Sequence, residues 1–314
     1  MSRKAFTVTE LLVSMAIVAL LLALVITAVQ GSRESARTMQ CAANLRQISV
    51  GVAAYESAHG MFPPGSSNGA SLHVAILPFI DQQVLFQKYN GATGDDAALR
   101  AVALPVYACP SESAPRFYSN WPGSPTACTN YVGNFGTGVR VSGFNGMFRL
   151  LGPSDFDGYP LGPIRPIDVR DGLSQTAAVS EILIGAGFLE WLRVDWNTPE
   201  TYPAPDEFPA FVAVCDAIPT NAAQYGWMGS PIDHGLPWTW GSIGKTMYNH
   251  ALPPNRPSCI NGQTVVYGIY TATSLHRGGV NVAFADGHVD FINDKLDRGI
   301  WRDFGSRVAS DLPK

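Results

Sequence analysis

Residues 11–29 read LLVSMAIVALLLALVITAV, nineteen positions without a charge and with only Ser14 and Thr27 polar. Wound as a helix at about 1.5 Å per residue, such a run crosses a hydrocarbon core of about 30 Å. Arg3 and Lys4 precede it, which places the N-terminus on the cytoplasmic side, although Arg33 and Arg37 follow it with Glu34 between them. Beyond the run, residues 31–60 (GSRESARTMQCAANLRQISVGVAAYESAHG) keep a helical pattern, with Met39, Leu45, Ile48, Val52 and Tyr55 recurring at steps of roughly three and four. The pattern predicts one helix that stops near Gly60, ahead of Pro63 and Pro64. A secretory signal peptide has an apolar stretch of about 7–15 residues and needs no such continuation. Glu10 stands where the apolar run begins, a costly place for a carboxylate.

The whole chain has 314 residues, of which 15% are charged, with a net charge of -4. That balance provides no basic field for nucleic acid. Glycine (31) and proline (23) are abundant, which predicts many turns. Five cysteines stand at 41, 109, 128, 215 and 259 without a C-x-x-C pair, so the usual zinc spacings are absent. Outside the cytoplasm they are free to form disulfides. Cys109 with Cys128 and Cys215 with Cys259 are the pairings nearest in sequence, and spacing alone leaves the connectivity open.

The residues Arg3-Lys4-Ala5-Phe6-Thr7-Val8-Thr9-Glu10 resemble the type IV prepilin signature, a basic leader and a small residue followed by Phe-Thr-x-x-Glu and an apolar helix. The resemblance implies cleavage between Ala5 and Phe6 by a prepilin peptidase, N-methylation of Phe6, and pairing of Glu10 with the new N-terminus of a neighbouring subunit. The family normally has Gly where this chain has Ala5. An ion pair inside an apolar assembly offsets part of the desolvation of each charge.

Further motifs are similar to one prepilin-like family, a domain of unknown function with a C-terminal H-x9-DG signature that is abundant in planctomycetes. They are Gln40-Cys41-Ala42-Ala43-Asn44-Leu45, Phe62-Pro63-Pro64-Gly65, Cys109-Pro110-Ser111, Asn130-Tyr131-Val132-Gly133-Asn134, Asp171-Gly172-Leu173-Ser174-Gln175-Thr176 with Glu181, and His276 nine residues ahead of Asp286-Gly287.

In the remainder, residues 72–89 and 97–104 predict short helices, and 131–132, 138–141, 176–179 and 265–270 predict strands. Residues 196–262, rich in Pro, Trp and Gly, predict long loops. Residues 280–285 and 288–292 alternate around Asp286-Gly287, the pattern of a hairpin with a type I′ turn and φ > 0 at both turn positions. Turn formation and side-chain capping explain Asp286, His288 and Asp290 without a metal. Asp155, Asp157 and Asp286 are the calcium candidates, and no other cofactor is expected. Ser111 lacks a nucleophile elbow, and His59, His73, His234 and His250 are scattered. Glu190, Asp195 and Glu200 beside Trp191 and Trp196 could line a sugar cleft. No convergent catalytic set is evident, so the chain reads as a non-enzyme.

The expectation is therefore an α+β, type IV pilin-like protein in which a long N-terminal helix packs on an antiparallel sheet with long loops. Its parts are a leader (1–5), a helix (6–60, spanning the membrane over 11–29) and an extracytoplasmic domain (61–314). The expected partners are membrane lipid, a prepilin peptidase and sibling pilin or pseudopilin subunits, with no nucleic acid. The alternative is a tethered module that binds cell wall, protein or calcium without forming filaments.

Overall fold

The computed structural model describes residues 7–89, 97–118, 125–139, 144–151, 162–185, 190–202, 207–222, 229–230, 234–262 and 264–308. The Ala5–Phe6 bond and Asp155 and Asp157 lie outside these residues. The architecture is α+β, with one long helix and several antiparallel and mixed sheets.

The helix covers Val8–His59. At its start Thr7 and Glu10 form a reciprocal capping box. The Thr7 hydroxyl accepts from the Glu10 amide at 3.3 Å, and the Glu10 carboxylate accepts from the Thr7 amide at 2.9 Å. The Phe-Thr-x-x-Glu motif thus has a local structural use that sequence reading missed. At the other end Gly60 takes φ 70° and its amide bonds back to Glu56, the left-handed cap that glycine adopts without a Cβ penalty. The predicted stop is correct.

The two halves of this helix differ. Among the described residues from Thr7 to Arg33, every side chain is exposed. From Cys41 onward one face is buried, through Cys41, Leu45, Ile48 and Val52, with Tyr55 packed at its end. Met39, expected on that stripe, is 66% exposed. Two residues from Cys41 means about 200° around the helix, and Cys41 takes the place expected for Met39.

This face lies against a five-stranded sheet in the order Met247–Asn249, Tyr131–Gly136, Ala177–Glu181, Gly279–Phe284, Val289–Asn293. All neighbours are antiparallel except the first pair, which is parallel. Alternation along the strands serves two cores. Tyr131, Phe135, Val179 and Ala283 face the long helix, while Val132, Val280, Val282 and Phe284 face Trp301 on the C-terminal helix Arg298–Gly305. The sheet is therefore covered on both sides.

A second lobe fills the region expected to be loops. Thr264–Ile269, Ser258–Asn261, Asp195–Asn197 and Gly229–Ser230 form a four-stranded sheet. The helix Phe208–Asp216 packs on it through Phe211, Val212 and Cys215. The loop expectation for 196–262 fails because its aromatic and apolar residues are core: Trp196, Phe211 and Ile260 are buried here. The helix expected over 72–89 is broken into Leu72–Ala75, a 3-10 turn Leu77–Phe79 and Gln83–Lys88. Pro78 supplies no amide, and Asp81 turns the chain at φ 61°. The 97–104 helix shortens to Ala97–Arg100, and the described residues of 138–141 form no strand.

The disulfides correct one expected pairing. Cys215–Cys259 forms as expected, with Cα atoms 5.8 Å apart, and ties the Phe208–Asp216 helix to its sheet. Cys109 pairs with Cys41 of the long helix (Cα–Cα 5.3 Å) and not with Cys128, which is a buried thiol. Proximity in sequence misled because the fold brings the Cys-Pro-Ser segment onto the helix, 68 residues away.

Candidate functional site

The long helix is gripped where its exposed half becomes its packed half. His276 lies directly before the strand Gly279–Phe284 and is buried. Its Nδ1 is 3.0 Å from the Thr38 hydroxyl and 3.2 Å from Glu34 Oε1, both on the helix. Its Nε2 is 3.2 Å from Glu181 Oε1 at the end of a central strand. Glu181 in turn accepts from the Asn281 amide (2.8 Å) and side chain (3.0 Å). An imidazolium between two carboxylates satisfies every group in this chain of contacts. Burial alone would depress the His276 pKa, but the hydrogen bond and charge of Glu181, then those of Glu34, outweigh it and raise the value.

The Cys-Pro-Ser motif completes the grip. Cys109 is bonded to Cys41, and the Ser111 hydroxyl donates to Glu34 at 2.9 Å. The next residue, Glu112, forms a buried ion pair with Arg193 at 2.7 Å and accepts from the Ile184 amide at 2.9 Å. The Cys109 amide donates to Asn130 of the Asn-Tyr-Val-Gly-Asn motif at 3.0 Å. The side chain of Asn44 on the helix donates to the Ala108 carbonyl (3.0 Å) and to the Tyr131 hydroxyl (3.3 Å).

The turn at Asp286-Gly287 approaches the helix further along. Gly287 has φ 93° and faces Ser49, whose Cβ lies 3.9 Å from where a Gly287 Cβ would be. The turn is not the expected type I′. Asp286 does not adopt positive φ, and the Gly287 amide bonds to the Phe284 carbonyl while the Phe284 amide bonds to the His288 carbonyl. These bonds define a three-residue loop with a left-handed glycine in third place. Asp286 accepts from the His288 amide (3.1 Å) and ring (2.6 Å), the local capping use expected for it. The Asp171–Thr176 motif cradles this hairpin: the amides of Asp286 and Ala285 bond to the carbonyls of Leu173 and Thr176.

Four of these groups could hold a metal. Single ligand atoms of Cys41, Cys109, Glu181 and His276 lie within 4.8 Å of one another. The sequence carried no local cue to this, since the four come from four distant segments. Of the other candidates, Asp195 is fully buried against His234 at 2.7 Å, and His73 and His250 are buried hydrogen-bonding groups. His59 is exposed.

These features define an α+β protein with one N-terminal helix long and apolar enough to cross a membrane, clamped to its domain by a His–Glu–disulfide cluster. Residues 30–299 match the family described as "Protein of unknown function (DUF1559)", and the chain belongs to that family. No curated protein and no solved structure matches the chain.

Proposed function

We propose that this chain is a type IV pilin-like or pseudopilin-like structural subunit, anchored in the membrane by residues 11–29 and serving a pilus or a type II secretion-like assembly. The observation that carries the reading is the contrast within one continuous helix: the described side chains of its first half are exposed, while its second half is packed on the sheet. An exposed apolar half of that length suits lipid and sibling helices. Ala19, Ala23, Thr27, Gly31 and Ser35 recur every fourth residue, spacing that lets helices approach closely in a bilayer. Two disulfides suit a domain outside the cytoplasm, which agrees with a cytoplasmic N-terminus.

In this reading a prepilin peptidase removes residues 1–5, Phe6 is methylated, and the Glu10 carboxylate pairs with the N-terminus of a sibling. Glu10 also serves the capping box, so the test must separate charge from cap. Glu10→Gln keeps a side chain that can accept from the Thr7 amide and removes the charge. The expected outcome, read by crosslinking in native membranes, is loss of self-association with an unchanged ectodomain melting temperature. Self-association equal to wild type would overturn the assembly role of Glu10. Mass spectrometry of the membrane-derived protein is expected to find a mature chain starting at methylated Phe6. A chain retaining residues 1–5 favours the tethered binding module.

A further inference from the structure

Cys41 and Cys109 close a disulfide beside two ionisable groups that a disulfide does not need. Glu181 and His276 are both buried and point their polar atoms at it, with His276 Nε2 3.7 Å from Cys109 Sγ. We propose that reduction of the Cys41–Cys109 bond converts this cluster into a tetrahedral site for a zinc-class divalent cation, ligated by Cys41, Cys109, His276 and Glu181. Two thiolates, an imidazole and a carboxylate make a donor set suited to zinc. The proposal is independent of the pilin reading.

The surroundings are those that metal-bound groups use. A ligating histidine generally has its second nitrogen held by a carboxylate or carbonyl. Nδ1 of His276 is held in this way by Glu34 and Thr38, which leaves Nε2 for the cation. Glu181 is oriented by both nitrogens of Asn281. A small pocket lined by Cys109, Glu112, Asn130, Glu181 and Ser274 offers an approach to one sulfur and to the carboxylate.

The chemistry balances with a dithiol reductant. Its two thiols transfer two electrons and two protons to the S–S bond, giving two cysteine thiols and leaving the reductant as its own disulfide. Binding of the cation then releases both thiol protons and the Nε2 proton, while Nδ1–H remains on Glu34. Cross-link and metal are thus two alternative closures of one joint.

The test uses the full chain in detergent, with Cys128, Cys215 and Cys259 all changed to serine so that reduction frees only Cys41 and Cys109. The reduced, metal-depleted protein is titrated with Co2+. The expected result is one equivalent bound, with the visible bands and near-ultraviolet charge transfer of tetrahedral cobalt–thiolate. Zn2+ should bleach the spectrum, and the oxidised protein should not show it. His276→Ala and Glu181→Gln should each weaken binding tenfold or more, and Glu34→Gln by about tenfold to a hundredfold, while His288→Ala leaves it unchanged. Absence of the spectrum in folded, reduced protein overturns the site, and so does binding indifferent to His276 and Glu181. Should the reduced chain unfold without metal, refolding it with Zn2+ is expected to restore near-ultraviolet circular dichroism. X-ray absorption should then report two sulfur and two nitrogen or oxygen neighbours. Failure to refold, or any other sulfur count, overturns the proposal.

Discussion

The two halves of the helix Val8–His59 share one backbone and obey different rules. Residues 11–29 are apolar almost throughout, and the described side chains from 7 to 33 are exposed. Residues 41–55 present a single apolar stripe packed on the sheet, and Asn44 bonds to the Ala108 carbonyl beside it. The contrast separates two sources of helix stability: in the first half a bilayer would force the backbone to satisfy itself internally, while in the second the sheet supplies the burial. The join, at Glu34 to Cys41, is where ion pairs and a covalent bond are concentrated.

The largest expected effect comes from breaking the join. Cys41→Ser removes a cross-link between residues 68 apart, which the loop-entropy relation puts at about 4 kcal/mol. Chemical denaturation of the purified protein should show that loss. Next, Leu45→Ala is expected to cost about 3 kcal/mol through cavity formation, since Leu45 is wholly buried. Leu20→Ala, in the exposed half, should leave the same unfolding curve unmoved, because its side chain is 64% exposed. Equal effects at the two positions would erase the contrast between the halves.

A smaller, graded effect comes from acid. His73 and His250 are buried, and burial lowers their pKa values to about 4 and about 3. Free histidine titrates near about 6.5, so below that pH the unfolded chain binds protons that the folded one refuses. The contribution of these two histidines should be at its full value above about 6.5. It should then fall as pH drops toward 4, with each histidine contributing a slope that approaches about 1.4 kcal/mol per pH unit. Thermal melts across this range would measure it, and His250→Gln should remove about one proton from the slope. The smallest effect is expected at the far end: Thr7→Ala removes the cap at a cost of about 1 kcal/mol to the first turn. Hydrogen exchange of the amides following Thr7 would show it without any change in the domain's melting temperature.

Much of this was legible in the residues. The apolar run, the stop at Gly60 and the hairpin at Asp286-Gly287 rest on local chemistry that a sequence displays directly. The stripe was read correctly at Leu45, Ile48 and Val52 and wrongly at Met39, because an apolar side chain does not reveal its angle when the true member is a cysteine. The motifs His276, Glu181, Cys109 and Ser111 were visible, but their meeting around His276 and Glu34 was not. That meeting depends on strands 177–181 and 279–284 pairing beside a helix that ends at His59, far earlier in the chain. The second lobe stayed hidden because its strands are short and its aromatics suggest loops until they are seen to be buried.

The Cys41–Cys109 bond has a mechanical consequence. Tension between the domain and a filament or membrane would enter the helix at Cys41, twelve positions past Val29. The helix beyond that point, together with its packing on the sheet, would lie off the force path. Pulling the domain away would therefore stretch a covalent link before it could peel the interface, and a reduced molecule should detach in single-molecule pulling at far lower force than an oxidised one.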